Sequence, residues 1–110
     1  MKKVLVVDDT KSILKMVKFV LGEHYEVYLS NSGQLALEIL ERKPIDIVLM
    51  DVDMPDMDGV ETVQKIREME NIKDIPVMFF TAMASKQTVE RCLAVGMVDY
   101  IVIPYKPEEL

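Results

Sequence analysis

The sequence predicts an α/β fold, a doubly wound parallel sheet, on three observations. Short apolar runs alternate with amphipathic stretches along the whole chain. Two of those runs, "IDIVLM" and "IPVMFF", are apolar almost throughout, as strands buried on both faces are. Pro44 and Pro76 stand just ahead of strand patterns, where a helix must already have ended.

The strand patterns, in order, are "KVLVV", "YEVYL", "IDIVLM", "IPVMFF" and "DYIVI". Helical spacing links Ile13, Leu14, Val17, Val20 and Leu21, then Leu35, Ile39 and Leu40. It recurs at Val60, Val63 and Ile66, and at Val89, Cys92 and Leu93. Asn31 with Gln34 reads as a capping box, and Ser85 as an N-cap. The order is βαβαβαβαβ, which winds a parallel sheet with right-handed crossovers. After the fifth strand "KPEEL" begins like a helix, with Pro107 suited to a first turn and Glu108 and Glu109 favourable beside it. The chain stops there, so the fifth helix is expected to be missing or truncated. One sheet face is then open, to be covered by a longer chain or by a partner, and self-association as a homodimer through that face is expected.

The 110 residues make one domain, 1–110, and half of them are hydrophobic, enough for a core. A single cysteine, Cys92, forms no internal disulfide and fits a reducing compartment. No apolar run approaches the ~20 residues of a membrane span, and "MKKVLVVDD" is too short for a signal peptide. A cytoplasmic setting without membrane contact is expected. The net charge of −6 argues against direct nucleic-acid binding, which needs a basic face.

Aspartates gather at strand ends. Asp8 and Asp9 follow the first strand pattern, Asp51 closes the third and Thr81 the fourth. Open α/β sheets bind ligands outside the carboxyl ends of their strands. If strands one, three and four are neighbours, these side chains share one pocket. Clustered carboxylates repel unless a cation sits among them, and oxygen donors without His or Cys suit Mg²⁺. Such a site can hold a phosphoryl oxygen while a carboxylate attacks phosphorus. An isolated Asp at a strand end is usually a turn former or cap; several at separate ends are harder to explain that way. A calcium-loop reading of "LMDVDMPDMDG" fails, because with Gly59 at loop position six Met54 and Lys65 fall where oxygen ligands belong. A dehalogenase-like phosphatase, with Asp51 as nucleophile and Asp53 as acid, fits poorly with a motif at mid-chain.

Four segments, "VLVVDD", "IVLMDVDMPDMDG", "PVMFFTA" and "GMVDYIV", followed by Pro104, resemble in order and spacing the receiver domain of two-component response regulators. The resemblance covers the whole chain and implies a flavodoxin-like strand order 2-1-3-4-5. It implies that Asp51 takes a phosphoryl group from a sensor histidine kinase or phosphotransfer protein. It implies Mg²⁺ held by Asp9, Asp51 and the backbone carbonyl of Asp53, with Asp8 binding through water. Thr81 matches the switch hydroxyl and Tyr100 the aromatic that follows it. Asp53 and Met83 fall at the two positions that tune phosphoryl lifetime. The output surface would be the fourth helix, fifth strand and fifth helix, read by an unidentified downstream protein or output domain. Such a module is not a turnover enzyme; its chemistry is its own phosphorylation and dephosphorylation.

One position departs from the pattern. Counting from Gly96, Tyr100 falls in place and the family's active-site lysine position holds Ile103, with Pro104 and Tyr105 following. Lys106-Pro107 would need three extra residues to serve. The alternative is therefore a degenerate receiver, a switch-impaired docking or dimerisation module. Lys11 and Lys106 read as solvated surface residues. His24 also reads as a surface residue, and Cys92 as core.

Overall fold

The computed structural model describes residues 1–81 and 85–102. The described residues follow the order β1 (Lys3–Val7), α1 (Lys11–Leu21), β2 (Glu26–Ser30), α2 (Gly33–Arg42), β3 (Ile47–Asp51), α3 (Gly59–Arg67), β4 (Val77–Thr81), α4 (Lys86–Ala94) and β5 (Asp99–Val102). The five strands are all parallel, in the order 2-1-3-4-5. The parallel sheet is the one expected from the alternation of patterns, and its strand order is the one the resemblance implied. Ile103, Lys106, Met83 and the expected start of a fifth helix lie outside the described residues.

Strand pleating sends alternate residues to opposite faces. Leu5, Val7, Val48, Met50, Val77 and Phe79 point into one core, closed by residues of α2, α3 and α4 such as Leu40, Val63 and Cys92. Val4, Val6 and Phe80 point into the other, under Ile13 and Leu14 of α1. Among the described residues the second layer is the thinner one. Beside α1 an apolar groove of about 280 Å³ runs between Val17, Val20 and Leu21 and the sheet residues Leu49, Met78 and Ile101. The helical spacing marked the apolar faces but not how far each is covered: Val20, Leu35 and Leu93 are exposed.

Capping corrects one expectation. The N-cap of α2 is Ser32, not Asn31: its hydroxyl accepts from Leu35 N–H at 3.1 Å. Asn31 and Ser32 are both competent caps, but the helix opens at Gly33, so only Ser32 has its oxygen over the first turn. Ser85 caps α4 as expected, accepting from Thr88 N–H at 3.1 Å. The capping box belongs to α3, where Asp58 accepts from Glu61 N–H at 2.8 Å and Asp58 N–H donates back to Glu61 at 3.2 Å.

Candidate functional site

The strand register sets the site. Val7 pairs with Met50, so Asp8 comes level with Asp51 one step beyond the sheet ladder. Asp51 pairs with Phe80, so Thr81 follows on the neighbouring strand. Carboxylate oxygens of Asp8, Asp9 and Asp51 all lie within 4.8 Å of one another. Asp8 and Asp51 are fully buried and Asp9 is exposed, so the cluster has a floor and an open rim. Asp8 also acts as a turn former, its Oδ1 accepting from Thr10 N–H at 2.8 Å. Asp51 Oδ1 accepts from Asp53 N–H at 3.2 Å, which turns the chain directly after β3.

Thr81 is buried, and its hydroxyl makes a long 3.4 Å bond to the exposed carboxylate of Asp53. Thr81 pairs with Val102 and Phe79 with Tyr100, so Thr81 and Tyr100 share the α4 face of the sheet as diagonal neighbours. Tyr100 is half-exposed there. Asp8, Asp9, Asp51, Asp53 and Thr81 thus lie at one end of the sheet, with Tyr100 at its margin.

The loop from Val52 to Asp58 is tightly fixed. Gly59 N–H donates to Val52 O at 2.9 Å, and a Cβ at Gly59 would stand 2.1 Å from the carbonyl oxygen of Asp51. Glycine is needed here for close approach of α3 to the backbone of Asp51. Asp56 has φ 67°, the left-handed region, which Asp tolerates better than most residues. Asp58 Oδ2 accepts from Arg91 Nη2 of α4 at 2.8 Å. Burial alone would push the Asp58 carboxyl up, but the Arg91 guanidinium and the Glu61 amide hold it below the usual carboxylate range. Arg91 is raised in turn, chiefly by its bond to Asp58. Sequence reading missed both partners as functional candidates. The spacing of Asp58 and Glu61 was legible as a capping box; the contact with Arg91 had no local signal.

A family model for the response regulator receiver domain matches residues 4–110. The chain belongs to the response regulator receiver domain family. The receiver is 36% identical over 108 residues to the histidine-protein kinase BarA of Escherichia coli (strain K12), covering 97% of this chain and 12% of that protein. It is 35% identical over 101 residues to a probable cyclic di-GMP phosphodiesterase of Vibrio cholerae, covering 92% of this chain and 23% of that one. The chain thus spans under a quarter of these relatives. Among solved structures, the Vibrio cholerae chemotaxis protein CheY4 superposes with TM-score 0.90 at 36% identity, covering 98% of this chain and 91% of that one. The receiver domain of the sensor histidine kinase PA1611 from Pseudomonas aeruginosa, which holds a magnesium ion in its active-site cleft, superposes with TM-score 0.85 at 33% identity, covering 98% and 89%.

As a receiver, the chain is a signal-transduction module of two-component phosphorelays. Receiver domains bind Mg²⁺ in their acidic site, and an all-oxygen set of three close carboxylates suits that ion. No helix among the described residues is long and apolar enough to cross a membrane.

Proposed function

We propose that Asp51 is the phosphoacceptor, taking its phosphoryl group from the phosphohistidine of a sensor histidine kinase or a phosphotransfer protein in the cytoplasm. The convergence of the Asp8, Asp9 and Asp51 carboxylates within 4.8 Å carries this reading. Asp9, Asp51 and the backbone carbonyl of Asp53 would hold Mg²⁺, with Asp8 acting through water. Bound there, Mg²⁺ supplies the positive charge that lets carboxylates and phosphoryl oxygens share one pocket.

A carboxylate oxygen of Asp51 attacks phosphorus. A new P–O bond forms, the P–N bond of the donor breaks, and its electron pair stays with the imidazole nitrogen, which takes up a proton. The Asp53 amide orients the attacking carboxylate by donating to Asp51 Oδ1. Thr81 exchanges its long bond to Asp53 for a donation to a phosphoryl oxygen, and Tyr100 follows on the same sheet face. A downstream protein or output domain then reads the α4–β5 surface. Asp53 and Met83 would tune how long the phosphoryl group lasts.

The test uses Mg²⁺ and acetyl phosphate with intact-mass detection. One phosphoryl adduct is expected, abolished by Asp51→Asn. An adduct that survives Asp51→Asn means another acceptor. No adduct, under conditions that label an ordinary receiver, overturns the reading.

A second reading has Ile103 in its favour: a receiver without the family's lysine, whose role is docking or dimerisation. Self-association would use the groove beside α1. Sedimentation should then show a dimer that Ile101→Glu dissolves; a monomer at high concentration refutes it.

A further inference from the structure

Two arginines fasten α3 to α4, and they differ in kind. At the C-terminal end of α3, Arg67 donates to the carbonyls of Lys73, Ile75, Val95 and Gly96 at 2.9, 2.6, 2.9 and 2.6 Å. Val95 is the C-cap of α4 and Gly96, at φ 80°, turns the chain toward β5. Val95 and Gly96 tie this end of α4 to α3, and four bonds from one guanidinium make it the firmer of the two attachments, the pivot. At the other end, Arg91 reaches the side chain of Asp58. That pair is partly solvated, its side chains 49% and 24% exposed, so it can open without stranding a buried charge.

Asp58 divides its two oxygens. Oδ1 caps α3 and Oδ2 holds Arg91. The next residue, Gly59, is the one pressed against the carbonyl of Asp51 and bonded to Val52. A continuous run of contacts therefore joins the middle of α4 to the backbone of Asp51. We propose that the Asp58–Arg91 pair is a latch: it holds α4 against the loop that follows Asp51, and α4 swings about the Arg67 end only when the latch yields. Its use as a threshold for switching rests on the reading of Asp51 as the phosphoacceptor. The pairing itself does not.

The experiment measures amide hydrogen exchange in α4 and α3 for the wild type, Arg91→Gln, Asp58→Asn and the double variant, with Mg²⁺ and no phosphodonor. Asparagine keeps the capping oxygen of residue 58 and puts an amide donor where Oδ2 accepts from Arg91, so the cap stays and the latch is lost. Each single variant should speed exchange in α4 about two- to fivefold, the range of a partly exposed ion pair. The double variant should add nothing further, and α3 should stay protected in Asp58→Asn. Unchanged α4 exchange in Arg91→Gln, or effects that add in the double variant, would overturn the latch.

A second arm titrates beryllofluoride, a phosphoryl mimic, and reads the same α4 amides. The unlatched variants should reach half-response at about two- to fivefold lower concentration, because less of the binding energy goes into opening α4. An equal midpoint in all four proteins overturns the threshold role. A wild type whose α4 never responds also overturns the threshold role. The phosphoacceptor reading is decided separately by the adduct and its loss in Asp51→Asn, and the first arm still decides the latch.

Discussion

Replacing Gly59 by alanine tests how closely α3 must approach Asp51. The added Cβ would stand 2.1 Å from the Asp51 carbonyl oxygen, 2.9 Å from its carbon and 2.9 Å from Met50 Cγ. Contacts under 3.0 Å are essentially never seen for real Cβ atoms, and two of these three partners are backbone. Relief needs the start of α3 to retreat by roughly 1 Å, which stretches the 2.9 Å bond from Gly59 N–H to Val52 O. Overpacking of this kind costs about 1–3 kcal/mol, and alanine's better helix propensity returns under ~1 kcal/mol. We expect a net loss of about 1–2 kcal/mol in urea unfolding. Misplacing a reacting group by ~1 Å can cost on the order of a hundredfold in rate. Labelling by acetyl phosphate should therefore slow by ten- to roughly a hundredfold, well beyond what the stability loss explains. Wild-type stability together with wild-type labelling would refute the close-approach argument.

Other outcomes follow from single features. Asp56 sits at φ 67°, so Asp56→Gly should raise stability by about 0.5–1 kcal/mol, read as a higher thermal midpoint. The Asp58 carboxyl is depressed in the folded state, so it contributes stability above its unfolded value near 4 and loses it as pH falls through the folded value. The unfolding free-energy gap between wild type and Arg91→Gln should accordingly be constant at neutral pH and shrink in acid; a gap that widens in acid contradicts the pairing. Ile103→Lys should tighten beryllofluoride binding by roughly tenfold, the value of a charge-assisted hydrogen bond of about 1.5–3 kcal/mol partly offset by ordering the side chain. No change there would place the family's lysine function elsewhere in the chain.

Much of this was legible in the sequence because it is periodic or local. "KVLVV" coincides with β1, and the near-continuous apolar runs became the buried central strands β3 and β4. The acidic residues could be gathered because strand ends are easy to locate and the rule for open sheets says where ligands sit. What escaped was set by distance and register. Asn31 and Ser32 are equivalent by composition; one residue of phase at the helix start chose between them. Val20 and Leu93 carry the helical spacing of core residues, yet their exposure depends on which elements lie opposite. Asp58 and Arg91 are 33 residues apart, and no local pattern announces such a pair. Gly59 was visible as part of a motif, but its reason, a backbone carbonyl where a Cβ would go, exists only in three dimensions.

Arg67 has a bearing on the order in which the molecule assembles. Its acceptors lie in the connection before β4 and in the one between α4 and β5, as far as 29 residues along the chain. The guanidinium can make all four bonds only once the last crossover has closed, after the β1–β2 and β1–β3 pairs can already have formed. A lysine at this position, with one nitrogen, could not serve so many divergent carbonyls. Its cost should fall on the unfolding rate and leave the folding rate nearly untouched, which makes Arg67 a guard on the lifetime of the folded state.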